Sequence, residues 1–306
     1  ILSSKYSNIE YIPPSQFTVT KQYGTLDAIK KIYGNDFFEM FAVNPDLNYK
    51  VRYDATDRAK IDMIGYLHPG QVINIPARYK IKPGSVKNLD DVVKTTGVSK
   101  EYIEKVIMTI EPSIAGKPDL KAYYDNVNGK GVLTIGFGHT GRFLDNRPLT
   151  EDTTITEAEA YEILAQDIID NKVRTLAYLE QNGISKEKFD KLPLSLQSVI
   201  IDIAFNKGIY DGFDNVFHDY TLAIKDDLSK NDIVGATMHT IRLSNALGLE
   251  KRSAQRIIIA VQDLSPQDKK KVKDATDNEM QRIIARLRPK YPLDAAALEN
   301  AWNGIA

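Results

Sequence analysis

The chain has 306 residues, 42% of them hydrophobic and 26% charged, with a formal net charge of -1 and no cysteine. That length accommodates two or three domains, each large enough to bury a core. The charge balance argues against a general nucleic-acid binder built on phosphate neutralisation, and the lack of cysteine removes disulfide scaffolds, thiolate nucleophiles and cysteine-type zinc sites.

The charge is unevenly spread. Residues 1–110 carry 15 Lys and Arg against 12 Asp and Glu, and residues 111–306 carry 25 against 29. The longest apolar runs, Val199 to Ile201 and Ile257 to Val261, fall far short of the ~20 residues that a membrane-spanning helix requires. The start, Ile1-Leu2-Ser3-Ser4-Lys5, has neither an initiator Met nor an apolar signal core, which points to a processed product or a segment of a longer chain.

In chain order, residues 1–16 are polar and broken by Pro13-Pro14, an extended lead-in. Phe17-Thr18-Val19-Thr20 alternates as a strand does. Leu26 to Gly34 is a short amphipathic helix closed by a C-cap glycine, and a second helix covers Asp36 to Ala42. Asn44-Pro45-Asp46-Leu47 is a turn, Asn48 to Ile64 a polar insertion, and Leu67 to Ile75 a turn followed by a strand of period two. The order over residues 17–77 is therefore strand, helix, helix, strand. With Thr18-Val19, Thr25-Leu26, Ile29, Tyr33-Gly34, Asn44-Pro45-Asp46-Leu47 and Pro69-Gly70-Gln71-Val72-Ile73-Asn74-Ile75-Pro76, the segment resembles the LysM module. The resemblance implies a small domain binding peptidoglycan or chitin; the bland alternative is a βααβ unit that spaces or docks the next domain.

Residues 78–98 make a basic linker with a short helix at 89–95. Another helix over 99–110 buries the face formed by Ile103, Val106, Ile107 and Ile110. Pro112 ends it, because the residue before a proline is pushed out of the helical region. Glu111 is left at the end of an apolar-faced helix.

From there the pattern becomes Leu120-Lys121-Ala122-Tyr123-Tyr124-Asp125, a turn-like Asn126 to Gly131, and Leu133-Thr134-Ile135-Gly136-Phe137-Gly138-His139-Thr140-Gly141, a β-hairpin. A helix end facing such a hairpin brings two carboxylates to one cleft in contrasting surroundings. One has apolar neighbours and the other lies beside a polar, glycine-rich turn. Such surroundings push two pKa values apart, as glycosidic bond cleavage needs. Gly136-Phe137-Gly138 does not open a helix and lacks a third glycine, so it is a hairpin end and not a nucleotide loop.

The run Glu, Leu-Lys-x-Tyr-x-Asp, Thr-x-Gly-x-Gly-His resembles the phage-type lysozymes. That resemblance implies an α+β fold over 99–306, mainly helical with a small β-hairpin lobe, and a peptidoglycan hydrolase needing no cofactor. It makes Glu111 the general acid, Asp125 the carboxylate facing the oxocarbenium ion or the attacking water, and Thr134 the residue positioning that water. Phe137 and Asn206, the latter in Phe205-Asn206-Lys207-Gly208, become substrate-binding positions. Arg252, in Gly248-Leu249-Glu250-Lys251-Arg252, becomes the support that holds Glu111. The expected partner is bacterial peptidoglycan, with other virion proteins as further partners and neither nucleic acid nor a membrane span. The place of action is the host wall or periplasm, reached from a virion or by release from the host cytoplasm.

Thr156-Glu157-Ala158-Glu159 is a capping box opening a helix through Leu179, with Tyr161, Leu164, Ile168, Val173 and Leu176 on its apolar side. Leu196, Val199, Ile200, Ile203 and Ala204 mark a strongly buried helix. His68, His139, His218 and His239 have no metal-ligand spacing, and His139 suits a hydrogen bond or ion pair. Near the end, Met280, Ile283, Ile284 and Leu287 recur at helical spacing, and Trp302 either packs the terminal helix onto the lobe or stacks on sugar. Two competing functions fit much of the same pattern: a lytic transglycosylase, which keeps the glutamate but needs no water-positioning carboxylate, and a phage tail or baseplate protein that only binds the wall.

Overall fold

The computed structural model describes residues 7–21, 29, 40, 43–44, 46–47, 49–53, 59–63, 67–110, 116–127, 130–140, 148–181, 183–213, 218–246 and 250–305. The chain is α+β, mainly helical with small sheets. It divides into two compact units, one of residues 1–95 and 118–167, the other of 96–117 and 168–306.

In the first unit, β1 (Ile9–Ile12) pairs antiparallel with β6 (Arg78–Ile81), β2 (Ser15–Thr18) with β5 (Val72–Ile75), and β3 (Tyr49–Tyr53) with β4 (Ala59–Met63). The strands expected near Phe17 and Val72 thus form one ladder, Phe17 opposite Ile73. The expected helices over 26–34 and 36–42 fall almost wholly outside the described residues. Ile29 and Met40 are helical and, with Val19, Leu47, Leu67, Ile73 and Ile75, form a small buried core. Asn44 staples that core from inside. Its Nδ2 donates to the carbonyls of Met40 and Asn74, each at 2.7 Å, and its Oδ1 accepts from the Asn74 N–H at 2.8 Å. The polar insertion over 48–64 carries the β3–β4 pair.

Two boundaries differ from the sequence reading. Residues 9–12, expected as lead-in, are a strand, and Arg78–Ile81, expected as linker, is its partner. The Ile81 N–H donates to Gln166 Oε1 at 2.8 Å, and Gln166 Nε2 donates to the Tyr79 carbonyl at 2.9 Å. The Gly84 N–H donates to Glu162 at 2.6 Å. These bonds join residues 78–84 to the helix that follows the hairpin, so the N-terminal residues and 118–167 form one unit.

That hairpin is β7 (Asp119–Val127), β8 (Lys130–Gly136) and β9 (His139–Thr140), in spatial order β7-β8-β9. Its ladder reaches Val127 opposite Lys130, so strand pairing continues into the stretch expected to be turn. Ile135 pairs with His139 across the Gly136-Phe137-Gly138 corner. Gly136 and Gly138 have φ of 66° and 89°, backbone that a side chain would strain, which is why this corner is glycine-rich. Ala122 and Ile135 pack on Ile163 beneath the sheet.

After α1 (Leu89–Thr96), the predicted helix over 99–110 begins as α2 (Lys100–Tyr102), capped by the Ser99 hydroxyl. It passes through a π-helical stretch (Ile103–Ile107) into α3 (Met108–Ile110). Ile103, Val106 and Ile107 are buried as expected. The wider π turn, in which the Met108 N–H reaches the Ile103 carbonyl, brings Met108 to the interior and leaves Ile110 half-buried.

The long helix α4 (Glu157–Gln181) opens on the expected capping box. Thr156 Oγ1 accepts from the Glu159 N–H at 3.2 Å, and Glu159 Oε2 accepts from the Thr156 N–H at 2.7 Å. The division between the units falls within this helix. Its buried stripe runs Tyr161, Leu164, Ile168 and then Lys172, Thr175 and Leu179, not Val173 and Leu176. Both polar residues are satisfied there. Lys172 Nζ donates to the Thr96 carbonyl at 2.9 Å, and Thr175 Oγ1 donates to the Asn171 carbonyl at 2.7 Å.

The second unit continues with α5 (Lys186–Asp190), α6 (Leu194–Phe213), α7 (His218–Lys230), α8 (Ile233–Ala246), α9 (Glu250–Ala260), α10 (Pro266–Leu287) and α11 (Pro292–Asn303). Residues 195–203 of α6 are buried on every side, the mark of a central helix. Met280, Ile283, Ile284 and Leu287 meet Trp302, which is 1% exposed and donates its indole N–H to Asp277 at 2.9 Å.

Candidate functional site

Asp125 and Thr134 lie on adjacent strands of the hairpin. Tyr123 is opposite Thr134 and Asp125 opposite Val132. Cross-strand partners share a face and side chains alternate along a strand, so Tyr123, Asp125, Val132 and Thr134 occupy one face of β7–β8. Asp125 is exposed. Thr134 is 3% exposed, and its hydroxyl donates to the Val132 carbonyl at 3.0 Å. That bond fixes the hydroxyl hydrogen and leaves the oxygen lone pairs to face another group. Asp125 and Thr134 are diagonal neighbours on this face, a separation of roughly 7–8 Å between such positions.

The opposite face carries Ala122 and Leu133 in the core, and Tyr124 at its rim. Tyr124 is 56% exposed, and its hydroxyl donates to Glu151 at 2.6 Å. That bond, and then the Glu151 charge, raise its pKa. Phe137 is 2% exposed, its ring 5.3 Å from that of Tyr161. It therefore packs the inside of the hairpin corner. His139 faces Asp167, Nδ1 lying 3.0 Å from Oδ2.

Glu111 lies outside the described residues. The segments on either side of it are tied together, the Gly116 N–H donating to the Met108 carbonyl at 2.7 Å. Asn206 lies in α6, with its side chain also outside the described atoms. Arg252 is buried in α9, where its Nε and Nη2 bind Asp202 Oδ2 and Oδ1 at 3.0 and 2.6 Å. Its guanidinium carbon is 5.9 Å from the centroid of the Phe205 ring, within cation–π range.

Around Asp202 the structure assembles a buried cluster that the sequence reading did not identify. Asp202 and Arg256 are both 0% exposed, and Tyr102 is equally buried. Tyr102 Oη donates to Asp202 Oδ1 at 3.0 Å, and Arg256 Nε donates to Oδ2 at 2.5 Å. Burial works against the Asp202 charge, but Arg252 and Arg256 outweigh it and hold the carboxyl well below the usual range. Burial, and then the Asp202 charge, push the Tyr102 hydroxyl well above 10.0. A signal was present in the sequence. Asp202 interrupts the apolar run Val199-Ile200-Ile201-Asp202-Ile203, and a carboxylate at such a position demands cationic partners. Arg252 and Arg256, one helical turn apart on α9, supply them.

Among the described residues no group of three or more His, Asp or Glu could hold a metal ion, and no helix is long and apolar enough to cross a membrane. No curated protein and no solved structure matches the chain. The phage lysozyme family model matches residues 117–246, a segment that holds Asp125, Thr134, Phe137 and Asn206 and stops short of Glu111 and Arg252. That match, over the hairpin and helices α4 to α8, supports a phage lysozyme relationship and with it a lysozyme-like, peptidoglycan-hydrolysing function.

Proposed function

We propose that the chain is a muramidase that hydrolyses the β-1,4 bond between N-acetylmuramic acid and N-acetylglucosamine. The observation carrying this is the coincidence of the family match with a hairpin that has Asp125 and Thr134 on one face. In the reaction Glu111 gives its proton to the glycosidic oxygen as the bond from that oxygen to the anomeric carbon breaks. Asp125 stabilises the oxocarbenium ion and takes a proton from the attacking water, whose oxygen forms the new bond to carbon. The Thr134 oxygen accepts a hydrogen bond from that water and orients it. Glu111 then regains a proton from solvent, and Asp125 releases its own. Attack by a water on the face opposite the leaving group inverts the anomeric centre.

Asn206 borders the sugar, Phe137 shapes the hairpin corner from within, and Arg252 holds Glu111. Residues 17–77 act as a LysM-like module that keeps the enzyme on the glycan. The enzyme reaches the wall from a virion or by release from the host cytoplasm.

Turbidity clearing of peptidoglycan by wild type, Glu111→Gln and Asp125→Asn tests the assignment. Wild type clears, and each variant loses at least about a hundredfold in rate, the scale of removing an acid or base. A Glu111→Gln variant as fast as wild type refutes the role of Glu111. Products carrying a reducing-end muramic acid support hydrolysis, whereas products lighter by one water identify a transglycosylase. Sacculus pull-down without any clearing identifies a binding protein.

A further inference from the structure

Asp202 has no part in the chemistry above, yet its acceptor capacity is fully used. Its two oxygens receive four donors, one from Tyr102, two from Arg252 and one from Arg256, and its backbone carbonyl accepts from Arg256 Nη2 at 3.2 Å. A carboxylate offers about four lone-pair sites, so this one is committed inward. The three partners come from two separate parts of the chain. Tyr102 is on the segment that runs on to Glu111, and the arginines are on α9.

The Glu111-bearing segment is pinned at two points along a single stripe of α6. The Ser99 N–H donates to Ser198 Oγ at 2.9 Å, and Tyr102 bonds Asp202 one helical turn further on. Position 206 falls one more turn along that stripe. On the other side, Asp202 takes Nε and Nη2 of Arg252, while the Phe205 ring lies against its guanidinium. With Nε and Nη2 both bound to Asp202, that carboxylate sets the orientation of the fork.

We propose that Asp202 is a positioning residue for the active centre, setting the Arg252 fork and the Glu111-bearing segment against each other so that Glu111 is held where it protonates the leaving oxygen. The inference rests on the reading of Glu111 as the acid.

The test compares wild type, Asp202→Asn, Asp202→Asn with Arg256→Met, and Glu111→Gln, measuring kcat and KM on soluble peptidoglycan fragments together with thermal unfolding. Asp202→Asn lowers kcat at least tenfold at a temperature where it remains folded, with KM within twofold of wild type. The double variant removes one unmatched buried charge and regains melting temperature, yet kcat stays at least tenfold down, because Arg252 still lacks its carboxylate grip. A double variant that regains wild-type kcat along with its stability overturns the proposal, as does Asp202→Asn with unchanged kcat. If Glu111→Gln is inactive while the Asp202 variants are normal, only this inference fails. If Glu111→Gln is fully active, the acid assignment fails and this inference fails with it.

Discussion

Replacing Tyr102 by Phe removes one oxygen from the buried centre of the second unit and leaves the ring volume in place. The bond lost is the 3.0 Å contact from Oη to Asp202 Oδ1, with both residues shut off from water. A hydrogen bond to a charged acceptor contributes about 1.5–3 kcal/mol. Asp202 keeps three N–H donors from Arg252 and Arg256, so the lower half of that range, about 1.5–2 kcal/mol, is expected. For a unit of this size each kcal/mol lowers Tm by about 2–4 °C, giving a fall of about 3–8 °C. Thermal and urea unfolding of wild type and Tyr102→Phe measure it. A cycle with Asp202→Asn should return a positive but smaller coupling energy, because the asparagine amide oxygen still accepts from the phenol, as a neutral rather than a charged acceptor. A Tm unchanged within about 1 °C, or no coupling in the cycle, would show that Tyr102 does not anchor its segment to Asp202.

Three further outcomes are expected. The folded-state pKa of Asp202 is depressed, so its contribution is fully present above the unfolded value near about pH 4 and is lost as pH falls toward the folded value; urea midpoints should therefore drop below about pH 4, and a flat profile down to pH 2 would contradict the buried pairing. Asn44→Ala removes three hydrogen bonds of 2.7–2.8 Å and strands the Asn74 N–H, a loss of about 2–4 kcal/mol that hydrogen exchange should detect as faster opening around β5; unchanged protection would remove Asn44 from its stapling role. Thr134→Val keeps the buried volume and the strand preference but removes the hydroxyl, so kcat should fall at least about tenfold with Tm shifted by only a few degrees; wild-type kcat would take Thr134 out of the mechanism.

Local features were legible in the sequence because their determinants are local. The Thr156 and Glu159 capping box, the Gly136-Phe137-Gly138 corner and the buried face of Ile103, Val106 and Ile107 all follow from spacing within a few residues. The β1–β6 pair escaped because Ile9 and Ile81 are far apart in the chain, and neither four-residue strand has a periodicity that names its partner. Lys172 escaped because a lysine on an apolar stripe is ordinarily read as solvated, and only the Thr96 carbonyl explains its burial. In the candidate site, residue types and their order pointed to Asp125 and Thr134. The Asp202 cluster joins residues 102, 202, 252 and 256 through tertiary contacts; an aspartate within an apolar run signals a need for cationic partners, but spacing alone does not name them.

Gln166 has a consequence for how the chain behaves at high concentration. A ribbon of two strands such as β1–β6 ordinarily offers an open row of amides and carbonyls, onto which a neighbouring molecule can add a strand. On β6 the Ile81 amide and the Tyr79 carbonyl on that row are already taken by one side-chain amide. A single glutamine imitates the next strand and closes the edge to recruitment. At that β6 edge, two of the positions that an incoming strand would bond are occupied within the chain itself.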